Sequence, residues 1–234
     1  MKRRTFDARA DLITRLRRPG RALDVGCGSG AFLCSMLSRG WHVEGVEQSE
    51  QAATHAARVS GVHVAAATLE HFDGPPGAFD VVHLADVLEH FGDPHCALRI
   101  VHQLLCDDGL LVLTTPDVGS LSARVLGRYW PNYRPEHLFY PDRQTIRRLL
   151  GSEGFVVCAI SPATKALTLE FARHYFAVYG PKLAAWLLAQ AGPHLPTSVS
   201  RAALMLSAGD MLVIAKPARP GDGTGLSDDS PRHN

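Results

Sequence analysis

The sequence predicts an α/β domain built on a seven-stranded, mostly parallel sheet with helices on both faces. Short apolar runs alternate with amphipathic stretches of helical period from the N-terminus to about residue 160. Such alternation joins parallel strands through crossover helices. The chain of 234 residues is also long enough to enclose one hydrophobic core of this kind.

The elements follow in a regular order, beginning with a basic amphipathic helix and ending with an apolar strand. Each predicted strand is a short apolar run, whereas each predicted helix repeats its apolar residues every three to four positions. The predicted strands cover residues 21–26, 42–47, 62–66, 79–85, 109–115, 155–161 and 210–216. The predicted helices cover residues 6–18, 30–39, 49–59, 94–105 and 142–152.

The C-terminal part of the chain departs from this alternation. Apolar-rich helical stretches at 168–178 and 182–191, interrupted by Gly and Pro, predict a helical insertion over 162–207 before the last strand. The composition then changes to Pro, Gly, Ser and Asp, which favours a disordered tail over 217–234. We therefore expect one domain over 1–216.

A glycine-rich turn follows the first strand and indicates a cofactor site. The apolar run of this strand meets an acid at Asp24. Glycines then alternate with other residues before a helical pattern begins, at Gly26, Gly28 and Gly30. Glycine allows positive φ angles and lets a ligand approach the backbone closely, and the following helix offers free N–H groups. This unit predicts a nucleotide-type cofactor at the end of the first strand.

Two kinds of cofactor fit the glycine spacing. A dinucleotide is one, because the turn matches G-x-G-x-x-G/A and Glu47 follows at the spacing of a ribose-binding acid. Asp24 favours the other, because an acid there would repel a pyrophosphate and attract a cationic amino group. S-adenosylmethionine (SAM) carries such an amino group, and its ribose suits Glu47. Nothing in the chain resembles the Tyr/Lys or Cys/His constellation of a hydride-transfer site.

Further motifs extend this pattern along the chain. The strand at 42–47 ends on an acid, FDVVHLADVLEH occupies 79–90, LLVLTTPD occupies 110–117 and a Pro-rich aromatic loop occupies 129–140. With LDVGCGSG at 23–30, these segments resemble class I SAM-dependent methyltransferases, in the branch containing ubiquinone-type O-methyltransferases and small-molecule and glycan-tailoring relatives. The resemblance covers roughly residues 20–160. It implies a Rossmann-like sheet of order 3-2-1-4-5-7-6, with the last strand antiparallel.

The resemblance also implies roles for residues at the strand ends. Asp24 would bind the amino group of SAM, and Glu47 would bind the ribose unless it is a solvated neighbour of a helix N-cap. Thr68 and Leu69 would clamp the adenine, with a core position as the alternative for Leu69. Cys27 is expected to be a small spacer whose backbone faces the cofactor. The predicted cofactor-binding residues are Asp24, Gly26, Cys27, Gly28, Gly30, Glu47, Gln48, Thr68, Leu69 and Asp86.

The acceptor side should carry a group that handles protons. Methyl transfer requires the nucleophile to be aligned about 3 Å from the methyl carbon, and a hydroxyl acceptor also gains from a base. We predict His137, in the aromatic loop, as this base, because histidine titrates near neutral pH. A loop histidine bonded to a backbone carbonyl is the alternative. Glu89 and His90 are predicted to complete the catalytic set.

A second motif raises the question of a metal ion. Asp86, Glu89 and His90 form a D-x-x-E-H sequence, whose members would share one face of a helix. The ubiquinone-type enzymes have a similar E-x-x-E-H arrangement, which suggests a divalent metal. We favour a hydrogen-bonding role that braces the pocket, and we predict no metal ligand.

Composition and the resemblance narrow the partners and the compartment. A formal net charge of +1 gives no argument for a nucleic-acid partner, and the resemblance implies a small-molecule acceptor with a reactive hydroxyl. Five cysteines without C-x-x-C spacing predict reduced thiols and a cytoplasmic location. We identify no signal peptide and no apolar run of about 20 residues, so no membrane span is predicted.

The predicted insertion suggests what the acceptor is like. At 162–207 it would cap the acceptor pocket with apolar residues and suit a hydrophobic or lipid-linked molecule. Peripheral membrane contact is a stronger hypothesis, helped by Lys165, Arg173 and Lys182 beside aromatic residues. A dimer interface or additional core is the alternative, and the oligomeric state stays open. For the whole protein, the alternatives are small-molecule N-methylation and a non-catalytic SAM-binding role.

Overall fold

The computed structural model describes residues 2–167, 174–175, 178 and 204–219. These residues form a seven-stranded sheet flanked by helices. Within this part of the chain the strands are β1 Arg21–Val25, β2 His42–Glu47, β3 Val64–Ala66, β4 Phe79–Ala85, β5 Leu105–Pro116, β6 Phe155–Leu167 and β7 Leu204–Pro217. The helices are α1 Lys2–Leu16, α2 Ala31–Leu37, α3 Glu50–Ser60, α4 Pro94–Leu104, α5 Leu121–Leu126 and α6 Arg143–Ser152. Short 3-10 turns lie at Leu69–His71, Leu88–His90 and Gly127–Tyr129.

The strand order is β3-β2-β1-β4-β5-β7-β6, which confirms the predicted topology. The pairs from β3 to β5 are parallel, and β7 lies antiparallel between β5 and β6. The order reverses between β1 and β4, and in open sheets of this kind such a point creates a ligand crevice outside the carboxyl ends of the strands. The glycine turn after β1 and the segment after β4 therefore border the same crevice.

Hydrophobic residues bury both faces of the sheet. Side chains alternate between faces along a strand, so Leu23 and Val25 of β1 pack on the side of α4 and α6. Ala22, which directly precedes Leu23 and so faces the other way, packs with α1 and α2 on the opposite side. The helices supply buried partners on both sides, among them Ile13, Phe32, Leu98 and Ile146. This two-sided burial makes the strand ends a rigid platform for the crevice.

The predicted insertion is wrong in its bounds. β6 continues to Leu167 and β7 begins at Leu204, and the two strands stay paired to their ends. The sequence misled because Pro162 reads as a break, whereas proline is tolerated in an edge strand such as β6. The predicted helical stretches at 168–178 and 182–191 lie outside the described residues, apart from helical His174, Tyr175 and Val178. The predicted tail also lies outside them beyond residue 219.

Smaller differences concern element ends. α1 begins at Lys2 instead of residue 6, and β5 begins at Leu105 instead of residue 109. The sequence prediction omitted α5, because its six residues are too few to display helical periodicity. Its start is fixed locally, since the Ser120 hydroxyl accepts a hydrogen bond from the Ala123 N–H at 3.3 Å.

Candidate active site

The glycine turn has the backbone geometry that its sequence predicts. Gly26, Gly28 and Gly30 have φ angles of 69°, 53° and 75°, in the left-handed region that favours glycine. A Cβ on Gly26 would meet Val87 Cγ2 at 2.6 Å, whereas a Cβ on Gly28 would meet no atom within 4 Å. α2 begins directly after Gly30. The turn therefore leaves open space beside Gly28 in front of the first N–H groups of a helix.

Glu47 is held at the end of β2, next to this turn. Its Oε2 accepts a hydrogen bond from the Gly28 N–H at 3.0 Å, and its Oε1 accepts one from the Ser49 N–H at 3.0 Å. Ser49 is the N-cap of α3. Both sequence interpretations of Glu47 thus describe part of its position, because the carboxylate neighbours a helix N-cap and also faces the glycine turn.

Asp24 lies at the end of β1 and is only 4% exposed. Its Oδ1 accepts a hydrogen bond from His83 Nδ1 at 2.7 Å, and His83 Nε2 in turn lies 3.1 Å from Arg9 Nη1. Sequence reasoning gave His83 and Arg9 no role. The available signal was a polar histidine between apolar neighbours in the middle of strand β4.

The remaining predicted cofactor residues fall into exposed and buried groups. Gln48 and Thr68 are exposed beside the ends of β2 and β3. Leu69 is 2% exposed and belongs to the core, in line with the alternative interpretation of this residue. Cys27 is 8% exposed, and burial, helped by the charge of Asp24, raises the pKa of its thiol to about 12. Such a thiol is a poor nucleophile, as expected of a spacer.

The segment after β4 carries a charged network that the sequence did not reveal. Asp86 has a φ of 56°, the only positive value of a non-glycine residue in the described part of the chain. Its Oδ2 pairs with Lys165 Nζ at 2.9 Å, and the same ammonium lies 3.0 Å from Asp210 Oδ2. The Asn132 side-chain amide donates to Asp210 Oδ1 at 3.0 Å. Residues from β6, β7 and the aromatic loop therefore converge on the end of β4.

The position of Lys165 corrects the sequence interpretation. It was expected on a membrane-facing insertion, but it lies on β6 with 27% of its side chain exposed and pairs with two acids. Burial opposes its charge, yet Asp86 and Asp210 outweigh burial and raise the pKa of Lys165. Burial raises the pKa of Asp210 despite Lys165, whereas Lys165 and Arg9 outweigh burial and lower that of Asp86. A lone charged residue in an apolar strand was the available signal.

Glu89 lies in the turn after β4, next to the end of β5, and is 1% exposed. Burial, followed by the charge of Asp86, raises the pKa of its carboxyl to about 8. Thr115 Oγ1 donates to Glu89 Oε2 at 3.1 Å. The Leu138 N–H donates to the Glu89 carbonyl at 2.8 Å, which joins this residue to the aromatic loop. At neutral pH most Glu89 side chains are therefore protonated.

His90 and His137 meet beside Glu89. Their ring centroids are 4.8 Å apart with an interplanar angle of 81°, and each of the three residues offers a ligand atom within 4.8 Å of the others. Within the described residues, His137 Nδ1 is buried without a hydrogen-bond partner. Burial and the neighbouring His90 lower the pKa of His137. The imidazole is accordingly neutral at pH 7 and has an unused ring nitrogen.

The expected helical face for D-x-x-E-H is wrong. The residues Leu88–His90 form a 3-10 turn, and the left-handed conformation of Asp86 turns the chain before it. The structure groups Glu89 and His90 with His137 and directs Asp86 to Lys165. Both histidines bond to the backbone of the aromatic loop. His90 Nδ1 lies 3.0 Å from the Glu136 carbonyl oxygen, and His137 forms a hydrogen bond with the Asn132 backbone, so the alternative interpretation of His137 describes part of its position.

The aromatic loop is packed onto the sheet by its own side chains. Trp130 is 1% exposed and lies against Gly209 of β7, where a Cβ would meet Trp130 Nε1 at 2.7 Å. Tyr133 stacks edge-on between Trp130 and Tyr140. The Tyr140 hydroxyl donates to the Arg134 carbonyl at 2.8 Å and accepts from the Arg134 N–H at 3.0 Å. These contacts hold His137 at a fixed position over the crevice.

The fold and the crevice define the class of this protein. A Rossmann-like sheet of this order, with a glycine turn after β1 and an acid ending β2, is that of the SAM-dependent methyltransferases. The sequence profile described as "Methyltransferase domain" matches residues 1–160. The chain belongs to this methyltransferase family, and SAM is its cofactor.

Solved structures share this architecture at low sequence identity. A proposed methyltransferase of Bacillus halodurans C-125 has a TM-score of 0.65 and 16% identity, covering 91% of this chain and 99% of its own. A SAM-dependent methyltransferase of Archaeoglobus fulgidus has a TM-score of 0.62 and 19% identity, covering 92% and 94%. The magnesium protoporphyrin IX methyltransferase of Synechocystis PCC 6803, solved with bound SAH, has a TM-score of 0.59 and 19% identity. The match covers 92% of this chain and 83% of that enzyme. No curated protein sequence matches the chain.

In the part of the chain that the structure describes, every helix is too short or too polar to traverse a bilayer.

Proposed function

We propose that this enzyme transfers the methyl group of SAM to a hydroxyl oxygen of a small-molecule acceptor, as the resemblance to the ubiquinone-type O-methyltransferases suggests. The observation that carries the proposal is the cluster of Glu89, His90 and His137. It lies on the acceptor side of the crevice and includes a neutral imidazole with an unpartnered nitrogen. An alcohol or phenol acceptor requires such a proton-accepting group, because its oxygen must lose a proton.

The cofactor would lie across the ends of β1 and β2. Asp24 would bind the amino group of SAM and Glu47 the ribose hydroxyls, while the open backbone beside Gly28 would admit the methionine part. Gln48 and Thr68 would border the adenine. The burial of Asp24 supports this assignment, because a charge–charge hydrogen bond is stronger where water is excluded.

The acceptor would bind between the cofactor and the aromatic loop. His137 Nδ1 would take the hydroxyl proton as the oxygen attacks the methyl carbon, and the sulfonium would leave as neutral SAH. Protonated Glu89 would donate a hydrogen bond that orients the acceptor oxygen, with His90 lining the pocket and Asp86 on the cofactor side. Each assignment uses the protonation state that the surroundings of these residues favour at neutral pH.

The same three side chains also suit a divalent cation. Two imidazoles and a carboxylate whose ligand atoms lie within 4.8 Å of one another form a donor set typical of such metals, and the orphaned His137 Nδ1 fits a ligand role. A bound cation would lower the pKa of the acceptor hydroxyl. In that case Glu89, His90 and His137 would hold the ion, and another group would accept the proton.

We further propose a hydrophobic or lipid-linked acceptor and peripheral contact with a membrane from the cytoplasm. Leu121, Val125 and Leu138 are 77%, 73% and 65% exposed around the aromatic loop, with Arg124 exposed between them in sequence. Apolar and basic groups together favour the surface of an anionic bilayer. The Tyr175 hydroxyl donates to the Tyr129 carbonyl at 3.2 Å, which supports a cap formed by the helical stretch. Five free thiols fit a reducing compartment.

Methyl transfer can be tested with SAM carrying a labelled methyl group and a metabolite extract. We expect label on an oxygen of an apolar product, with turnover by His137→Ala reduced by about 100-fold and SAM affinity almost unchanged. Tyr133→Phe, in the same loop, is the control. Label on nitrogen would support the N-methylation alternative, and SAM binding without transfer would support a non-catalytic role.

The same assay distinguishes the base from the metal, and vesicles test the membrane contact. Loss of activity in a chelator, with recovery on adding Mg²⁺ or Zn²⁺, would replace the His137 base by a metal site. Sedimentation with phosphatidylglycerol vesicles, but not with phosphatidylcholine vesicles, is expected for the wild-type protein. The substitution Val125→Ser should weaken it. Absence of vesicle binding would contradict the membrane proposal while leaving methyl transfer untouched.

A further inference from the structure

A chain of three buried polar side chains lies beneath the cofactor end of the crevice. Arg9 of α1, His83 of β4 and Asp24 of β1 are 7%, 0% and 4% exposed. Arg9 Nη1 lies 3.1 Å from His83 Nε2, and His83 Nδ1 lies 2.7 Å from Asp24 Oδ1. Phe32 of α2 stacks on the His83 ring at 3.8 Å between centroids. We call this chain the Arg9–His83–Asp24 relay.

The relay allows only one protonation state of its histidine. A guanidinium can only donate hydrogen bonds, so His83 Nε2 must accept from Arg9 and cannot carry a proton. His83 Nδ1 therefore carries the proton and donates it to the Asp24 carboxylate. Burial lowers the pKa of His83, and Arg9 adds to this effect although Asp24 and Asp86 oppose it. Geometry and charge thus agree on a neutral imidazole of fixed tautomer.

This arrangement uses one oxygen of Asp24 and leaves the other. Among the described residues, Oδ1 receives the His83 hydrogen bond and Oδ2 receives none. Asp24 directly precedes Val25 and the glycine turn, so it stands at the crevice. A buried carboxylate with one oxygen fixed from behind has little freedom to rotate, because rotation would leave His83 Nδ1 without its acceptor in a dry environment.

We propose that Arg9 and His83 are positioning residues for the cofactor, which fix the orientation of the Asp24 carboxylate and present its Oδ2 to the amino group of SAM. The proposal rests on the role proposed above for Asp24. It makes α1, which precedes the sheet in sequence, a working part of the cofactor site. It also explains a histidine in a strand interior and an arginine facing the sheet, both of which are costly to bury without partners.

Substitutions at position 83 separate hydrogen bonding from packing. His83→Leu fills similar space but leaves Arg9 and Asp24 without the imidazole, whereas His83→Gln can still accept through its oxygen and donate through its amide nitrogen. We expect SAM affinity, measured by calorimetry, to fall about 10-fold in His83→Leu and to recover to within about 3-fold of wild type in His83→Gln. Arg9→Met should weaken SAM binding about 10-fold as well.

Matched control variants make the same substitutions at an arginine and a histidine that lie away from the relay. Arg15→Met makes the same change on the exposed side of α1, and His102→Leu replaces a histidine that packs against Phe155, away from the relay. Both should bind SAM as wild type does. Asp24→Asn tests the underlying assignment. If Asp24→Asn binds SAM normally, the proposed role of Asp24 fails; if only Asp24→Asn loses binding and His83→Leu does not, the relay alone fails.

A spectroscopic test observes the relay in the wild-type protein. In wild-type protein labelled with ¹⁵N-histidine, His83, assigned by its absence in His83→Gln, should carry its proton on Nδ1 from about pH 5 to about pH 8. Binding of SAM should shift the Nδ1 resonance of His83, because the amino group of SAM and His83 would then share the Asp24 carboxylate. A proton on Nε2, titration of the ring within this range, or an equal loss of SAM affinity in His83→Gln and His83→Leu would overturn the relay.

Discussion

The cofactor half and the acceptor half of the crevice are assembled in different ways. In the cofactor half, the groups that face the ligand come from one short stretch, as when the Gly28 N–H binds a carboxylate 19 residues away at Glu47. In the acceptor half, Asn132 reaches an acid 78 residues away at Asp210, and Lys165 of β6 pairs with Asp86 after β4. The groups that would face the cofactor are thus close in sequence, although Arg9 and His83 support Asp24 from distant elements, whereas the acceptor half is itself assembled from distant parts of the chain.

The two halves should accordingly respond differently to substitution. A change in the cofactor half should remove ligand binding while the fold survives, because its backbone turn lines open space. A change in the acceptor half should weaken the fold as well, because the same side chains join strands and loop. The four predictions below test this contrast, from the largest expected effect to the smallest.

Gly28→Val should produce the largest effect, and its main effect should be on binding. Its side chain would enter the open space in the turn and should reduce SAM affinity at least about 1,000-fold, equivalent to about 4 kcal/mol. Gly61→Val is the matched control, since Gly61 has a φ of 75° and also has no atom within 4 Å of an added Cβ. Both should lower the melting temperature through backbone strain. Similar SAM affinity in the two variants, measured by calorimetry, would contradict the cofactor placement.

Lys165→Met should destabilise the fold. It leaves Asp86 and Asp210 close together without their shared cation, and breaking a buried pair from one side costs about 3 kcal/mol. Urea denaturation measures the loss. Lys165→Arg should restore part of the stability, and so should the addition of Asp210→Asn to Lys165→Met. Stability equal to wild type in Lys165→Met would contradict the idea that this charge network stabilises the acceptor half.

Glu89 should make stability depend on pH. Its folded pKa of about 8 lies above the ordinary value of 4.5, so the fold favours the protonated acid and loses stability as the pH rises between these values. Between about pH 6 and about pH 8 the wild type should lose about 2 kcal/mol relative to Glu89→Gln, which stays neutral. Denaturation at each pH measures the difference. Glu70→Gln, at an exposed position, should follow the wild type, and parallel curves for Glu89→Gln would refute the burial argument.

Tyr140→Phe should have the smallest effect, of about 1 kcal/mol. It removes the hydroxyl that bridges the Arg134 N–H and carbonyl and so loosens the aromatic loop around His137. Turnover should fall more than SAM affinity. Tyr133→Phe changes the same kind of residue in the same loop, and no hydrogen bond to its hydroxyl is found within the described residues. An equal response of both variants, in turnover or in melting temperature, would exclude a role for the bridge.

The contrast between the halves also explains what the sequence could predict. Asp24, the glycine turn and Glu47 follow strands with a clear apolar pattern, so their positions follow from local rules. The sheet order came from the resemblance, and the structure agrees with it. Leu69 shows the limit of such rules, because an apolar residue at a strand end is compatible with both a ligand contact and a core position until its neighbours are known.

The errors arise where distant residues decide the outcome. Helical spacing from Asp86 to His90 failed because Asp86 adopts a positive φ, which no short motif specifies. Lys165 was assigned to a surface because its two acidic partners are remote in sequence. Arg9 and His83 were overlooked since their significance depends on contact with Asp24 across three elements. Supporting groups of this kind are visible only once the sheet has been assembled.

Pro162, which begins the unpredicted extension of β6, has a consequence for solubility. Within the described residues, β6 is the outermost strand beside β7, and its 13 residues would offer a long row of backbone donors to another chain. Pro162, near its middle, has no N–H to contribute. An edge interrupted in this way is a poor template for intermolecular strand addition. The residue that interrupts the sequence pattern thus protects a long hairpin from aggregation.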